Sequence, residues 1–124
     1  NAKRDWGHAQ DFVEAQWLIL QQKKPDDYVI ATGVQYSVKE FINIAAKYLD
    51  MRIYWKGIGI KEKGFNENGK VIIECSKKYF RPAEVETLLG NPRKARKLLK
   101  WKPKITFKKL VSEMVESDFS KLEK

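Results

Sequence analysis

Apolar residues return at three- and four-residue steps between Ala9 and Gln22, where Phe12, Val13, Ala15, Trp17, Ile19 and Leu20 outline an amphipathic helix. The run Lys23-Lys24-Pro25-Asp26-Asp27 ends it, because proline disfavours helix in the residue before it. Tyr28-Val29-Ile30-Ala31, closed by Thr32-Gly33, is a short run of β-formers that predicts a buried strand, and helix followed by such a strand is half of a βαβ unit. Ser37 with Glu40 three residues on is a capping-box signature, and Val38, Phe41, Ile42, Ala45 and Leu49 then share one helical face. Further strands are predicted at Arg52-Ile53-Tyr54-Trp55 and Val71-Ile72-Ile73-Glu74, with the turn dipeptide Asn68-Gly69 between them, which gives a small, partly antiparallel sheet. Asn91-Pro92 opens a short helix through Leu99, with Ala95, Leu98 and Leu99 expected inward, and Pro103 forces the chain out of it. Thr106 caps a last helix whose stripe of Phe107, Leu110, Val111, Met114 and Val115 reads as core packing and not as a cofactor box.

At 124 residues and 43% hydrophobic, the chain suffices for one modest core and is too short for two domains of ordinary size. Its longest apolar stretches fall far short of the roughly 20 residues that span a bilayer, and Asn1-Ala2-Lys3-Arg4 lacks the apolar core of a signal peptide, so a soluble protein without a membrane partner is expected. A single cysteine, Cys75, leaves no internal disulfide, and one histidine, His8, leaves no Cys/His metal cluster; a reducing, cytoplasmic setting follows.

The formal charge of +9 calls for an anionic partner. Nine of the basic residues, Arg93, Lys94, Arg96, Lys97, Lys100, Lys102, Lys104, Lys108 and Lys109, occur with no acid among them. This block is the one feature favouring a nucleic-acid-binding module, but no recognition motif accompanies it, and a solvated face on two short helices is the simpler reading.

Several catalytic sets are excluded by the residues themselves. His8 and Cys75 are too far apart in sequence, with no third group evident, to suggest a nucleophilic pair. There is no Walker-type phosphate loop, and Gly57, Gly59 and Gly64 do not have dinucleotide-fingerprint spacing. No tyrosine is followed by a lysine four residues later, so a nicotinamide site would draw mostly on other sequence.

Against this background two arginine-centred segments stand out: Arg4-Asp5-Trp6-Gly7-His8-Ala9-Gln10-Asp11 before the first helix, and Tyr79-Phe80-Arg81-Pro82-Ala83-Glu84-Val85, followed by Asn91-Pro92-Arg93-Lys94-Ala95 and Leu99-Lys100-Trp101-Lys102-Pro103. Taken in order with Tyr28 to Gly33 and Ser37 to Phe41, they closely resemble the C-terminal part of the GDP-mannose 4,6-dehydratases, members of the extended short-chain dehydrogenase/reductase superfamily. The resemblance runs from Asn1 to about Phe119. It implies an α/β fold, the C-terminal part of an extended short-chain dehydrogenase, with residues 1–33 as the end of the cofactor-binding domain and its Rossmann-like sheet, and residues 34–124 as the smaller nucleotide-sugar-binding domain. A chain beginning at Asn1 would then cut through that sheet and expose apolar surface around Tyr28 to Ala31. The sequence departs from the family pattern at Ser76-Lys77-Lys78, where Asp-Pro often precedes the arginine segment, and at Lys100, where relatives often carry Gly or Asn.

The family reaction, as the resemblance implies, is an NADP-dependent conversion of GDP-mannose to GDP-4-keto-6-deoxy-mannose. It relies on a tyrosine and lysine four apart, a hydroxyl residue and a glutamate from preceding segments, so no catalytic or cofactor-binding residue is expected in this chain, and a homo-oligomer is expected at full length. The substrate-binding candidates are Arg4, Arg81 and Glu84. Arginine's fork of donors can hold two phosphate oxygens of a diphosphate, and an ionised carboxylate is an acceptor suited to ribose hydroxyls. Pro82 stiffens the backbone between Arg81 and Glu84. Trp6 and His8 read as structural, with His8 hydrogen-bonded at the start of the helix and Asp11 helping to cap that turn. Read without the resemblance, Arg4 beside Asp5 is a surface ion pair, and Glu84 simply starts a turn. A sister epimerase or dehydratase of the superfamily would keep the diphosphate arginines and read another base or sugar.

Overall fold

In the computed structural model, residues 2–123 are described; Asn1 and Lys124, the outer bounds of the two expected domains, lie outside them. Strand β1 (Lys3–Asp5) is followed by helix α1 (Ala9–Leu20), β2 (Gln35–Ser37), α2 (Val38–Tyr48), β3 (Tyr54–Lys56), β4 (Lys63–Phe65), β5 (Val71–Glu74), α3 (Arg93–Leu98) and α4 (Phe107–Leu122). β1 pairs antiparallel with β2, Arg4 opposite Tyr36, and β3, β4 and β5 form an antiparallel sheet in that order. On its other edge β1 takes a further segment: the Lys3 amide donates to the Glu86 carbonyl at 2.8 Å and the Leu88 amide to the Lys3 carbonyl at 3.1 Å.

The helix ends follow their capping chemistry. Ser37 Oγ accepts from the Glu40 amide and the Ser37 amide donates to Glu40 Oε2, the reciprocal box read from the sequence. Thr106 Oγ1 accepts from the Lys109 amide at the start of α4. At α3 the Asn91 side chain accepts from the Arg93 amide, although the helix itself begins one residue after Pro92. His8 caps α1 with a ring nitrogen: Nδ1 accepts from the Gln10 amide at 3.0 Å, which leaves Nε2 to carry the proton toward Glu113 Oε2 at 2.9 Å. The lone histidine thus ties α1 to α4.

Asp11 does not cap that turn. It is buried, and its Oδ2 accepts from the amides of Lys104 and Ile105, while its carbonyl accepts from Trp101 Nε1 at 2.9 Å. The carboxylate holds the loop between α3 and α4 against α1. Around it lies one core cluster of Ala15, Ala95, Leu99 and Trp101, with Phe12, Leu18, Ile19, Tyr28 and Ile30 packed on it. A second cluster joins the two ends of the chain: Trp6 stacks on Phe41 at 5.0 Å, Tyr36 on Phe107 at 4.0 Å, and Val111 of α4 is fully buried.

Other expectations change as well. Tyr28–Ala31 forms no strand ladder among the described residues; β-formers pair only where another strand offers its edge, and here the segment packs one side onto α1 and α3 while Val29 faces outward. The apolar stripe of α1 is split, for Ala15 is fully buried while Val13, Trp17 and Leu20 are 59%, 60% and 80% exposed. Leu98, expected inward, is half exposed, as are Val38 and Met114 near the edges of their own stripes. The small sheet is as expected except that it has a third strand, β4, and that β3 begins two residues later than Arg52. β3 docks on α2 through Trp55 Nε1, which donates to Asn43 Oδ1 at 2.8 Å, and Glu62, just before β4, pairs with Lys39 of α2.

Two tests follow. Lys100, just past α3, has φ +53, a left-handed conformation in which a β-carbon is crowded. Lys100→Gly is expected to stabilise the chain by about 1 kcal/mol in urea unfolding, and an unchanged or lower midpoint would contradict the strain. At α2, the Ser37 amide, followed by the Ser37 hydroxyl, holds the Glu40 carboxyl below its ordinary value of 4.5. The folded state therefore binds its proton less readily than the unfolded one, so this stabilisation is present above pH 4.5 and is lost as pH falls through the lowered folded value. In Glu40→Gln, stability measured against pH should lose that part of its slope; an identical slope would remove Glu40 from the account.

Candidate functional site

The strand pairing just described sets the site. Alternation along β1 sends Arg4 to the side opposite Lys3 and Asp5. Asp5 turns toward Thr32 and Gly33: Oδ1 accepts from the Thr32 amide at 2.9 Å and hydroxyl at 2.7 Å, and Oδ2 from the Gly33 amide at 2.9 Å. Asp5 is thus a backbone anchor and not the partner of Arg4. Gly33 takes φ +80 at this turn, and Arg96 Nη2 donates to the Thr32 carbonyl from the far side at 2.8 Å.

Arg4 instead meets the arginine segment. Because residues 86–88 lie along β1, the chain just before them runs past Arg4, whose Nη2 donates to Glu84 Oε1 at 2.7 Å while Nη1 donates to the Lys3 carbonyl at 2.8 Å. Arg4, Arg81 and Glu84 all line one open cleft of about 740 Å³. Its remaining wall is Ala2, Val38, Cys75, Ser76, Tyr79 and Phe80. Arg81 is exposed, and among the described residues no carboxylate lies within ion-pairing distance of it. All three residues singled out in the sequence are therefore brought together, from segments 80 positions apart.

Some of the cleft was not read from the sequence. Val38, placed on the buried face of α2, is exposed because it lines the cleft, and Cys75 reaches it as the residue that follows β5. Tyr79 and Phe80 adjoin Arg81 in sequence, and that adjacency is the signal for their place in the cleft.

Chemically the cleft offers two fixed-charge guanidinium groups, one carboxylate acceptor and an apolar, aromatic flank. Two of Arg4's five donors are engaged, on Lys3 and Glu84, so the rest of its fork is open to an anion. Among the described residues there is no group of three or more His, Cys, Asp or Glu placed to hold a metal, and no helix is long and apolar enough to cross a membrane.

The basic block divides differently. Lys94 pairs with Asp26 at 2.8 Å and draws the Asp26 carboxyl below its ordinary value; Arg96 binds the Thr32 carbonyl; Lys104 pairs with Glu14 at 3.3 Å and Lys109 with Glu113 at 3.7 Å. Three of these contacts tie separate segments together, and the Lys109–Glu113 pair lies within α4.

Superposition on solved structures gives the class of fold. RMD from Pseudomonas aeruginosa, complexed with NADPH, matches over 97% of this chain and 34% of its own with a TM-score of 0.70 at 20% identity. The shared fold is mixed α/β, with small antiparallel sheets among the helices. The sequence narrows the class. Residues 1–114 match the family model of GDP-mannose 4,6 dehydratase, and the chain belongs to that family. It is 57% identical over 123 residues to GDP-mannose 4,6 dehydratase 2 of Caenorhabditis elegans, covering 99% of this chain and 32% of the relative. The Dictyostelium discoideum and Homo sapiens GDP-mannose 4,6 dehydratases are 56% and 48% identical, each over 95% of this chain and about a third of their own length. The chain thus spans about a third of the length of the curated relatives it matches.

The Asp5 anchor carries a testable weight. Asp5→Ala removes an acceptor shared by three donors and leaves the Thr32 and Gly33 amides to find others, so a loss of about 2–3 kcal/mol is expected in chemical unfolding. A loss below about 1 kcal/mol would show that the turn is held by other contacts.

Proposed function

We propose that this chain is the nucleotide-sugar-binding portion of a GDP-mannose 4,6-dehydratase, acting in the full-length enzyme that converts GDP-mannose to GDP-4-keto-6-deoxy-mannose. The observation that carries the reading is the convergence of Arg4, Arg81 and Glu84 on one cleft. A diphosphate carries negative charge on several oxygens, and two guanidinium forks facing one opening are suited to hold it bidentately. Glu84, an acceptor only, is suited to the ribose hydroxyls. Tyr79, Phe80 and Val38 give the adjoining flank the apolar character that a flat base or a sugar face needs.

On this reading residues 1–33 finish the cofactor-binding domain and residues 34–124 form the nucleotide-sugar-binding domain, stitched together by the β1–β2 pair. NADP, which supplies the hydride acceptor and donor when bound, is held by the preceding part of the enzyme, and no residue here is assigned to it. The acid and base of the dehydration also lie in that preceding part. The work of this portion is positioning: the diphosphate anchors one end of the substrate so that the sugar at the other end has a fixed place, which turns binding energy at a remote group into orientation at the reacting carbon. The enzyme is proposed to be cytoplasmic and to assemble as a homo-oligomer.

Titration calorimetry of GDP-mannose into the chain tests the reading. Arg81→Ala is expected to weaken binding by about tenfold or more, as loss of a charge-assisted contact does, while Lys97→Ala on α3 leaves it unchanged. Equal weakening by both variants would mean that the basic face of α3, and not the cleft, attracts the ligand.

A further inference from the structure

The Arg4–Glu84 contact imposes a condition on what the cleft accepts. The two side chains are part-exposed and exposed, Arg4 at 25% and Glu84 at 49%, and approach to 2.7 Å. Nothing in the fold requires the pair: β1 is already held on both edges by backbone hydrogen bonds, and Pro82 stiffens the segment that carries Glu84. Its consequence lies in the cleft. A carboxylate lying against one of the two guanidinium groups cancels part of the positive field that an anion would meet, and its own charge repels an incoming phosphate oxygen.

We infer that Glu84 makes the cleft selective for nucleoside diphosphates over bare phosphate and pyrophosphate. This rests on the diphosphate and ribose roles proposed above and adds a selection that neither role contains. An inorganic anion binding at Arg4 must displace or share the guanidinium with Glu84, and the freed carboxylate gains nothing in return. A nucleoside diphosphate brings a vicinal diol, whose two hydroxyls donate to Glu84 as its diphosphate takes over the arginine. Each partner of the broken pair is then satisfied by a different part of the same ligand. The cost of opening the pair is therefore met only by a ligand that carries both groups at the right separation. For a protein in a solution rich in free phosphate, such a pair keeps the anion site vacant until a nucleotide arrives.

The inference is tested with Glu84→Gln, which preserves shape and removes the charge at an exposed position, by measuring the affinities of inorganic pyrophosphate, GDP and 2′,3′-dideoxy-GDP for the full chain. Pyrophosphate is expected to bind the variant about fivefold more tightly than the parent chain, the range of an exposed ion pair. GDP should bind it no more tightly, and the parent's preference for GDP over the dideoxy nucleotide should shrink, because a neutral amide oxygen accepts from the diol more weakly than a carboxylate does. If pyrophosphate and GDP shift by the same factor, or the diol preference is undiminished by the substitution, Glu84 is not the selecting group. Those outcomes leave the diphosphate site standing, provided that GDP still binds the parent chain and still depends on Arg81. If GDP does not bind the parent chain at all, the nucleotide-sugar reading fails and this inference fails with it.

Discussion

Three residues of backbone, Lys3 to Asp5, hold the arrangement together. β1 spends its hydrogen bonds on two unrelated segments, β2 on one edge and residues 86–88 on the other, so it fixes the distance between the helical half of the chain and the loop that follows β5. The side-chain alternation of a strand then assigns the work: Asp5 on one side pins the Thr32-Gly33 turn, and Arg4 on the other enters the cleft. Break the pairing and Arg4 and Glu84 lose their relation, because no local feature of either segment holds them near each other. The aromatic stack of Trp6, Tyr36, Phe41 and Phe107 acts directly behind β1 and β2 and gives this small sheet the packed face that two short strands need.

The remaining polar anchors follow a single pattern, in which a side chain satisfies backbone groups that the irregular parts of the chain and the helix starts leave open. Asp11 does so for the loop before α4, His8 for the start of α1, and Asn91 for the start of α3. Three residues of the basic block, Lys94, Arg96 and Lys104, also tie separate segments together. In each case α3 or the loop after it is tied to an acidic side chain or a carbonyl of another segment.

What was legible in the sequence was what local chemistry dictates. Ser37 and Glu40 form their box because both partners lie within one turn, and Thr106 caps α4 for the same reason. Motif order brought Arg4, Arg81 and Glu84 forward, and one cleft unites them. What was not legible depends on distant partners. β1 is Lys-Arg-Asp, a tripeptide with no apolar alternation, and becomes a strand only because two other segments supply edges. β4 is Lys-Gly-Phe, and Gly64 is buried there because Ile53 and Ile73 close over the place of a side chain. Asp11 looked like a helix-start carboxylate, and only the return of the chain 90 residues later shows what it binds. Conversely, Tyr28–Ala31 has every local mark of a strand and forms none, since pairing belongs to two segments and not to one.

The central claim is that the cleft under β1 receives a diphosphate between Arg4 and Arg81. A crystal structure of the chain with GDP bound tests this most directly. The account predicts diphosphate oxygens within hydrogen-bonding distance of both guanidinium groups and ribose hydroxyls on Glu84, with the Arg4–Glu84 pair opened. A nucleotide found on the basic face of α3 instead, with Arg4 still closed on Glu84, would contradict it.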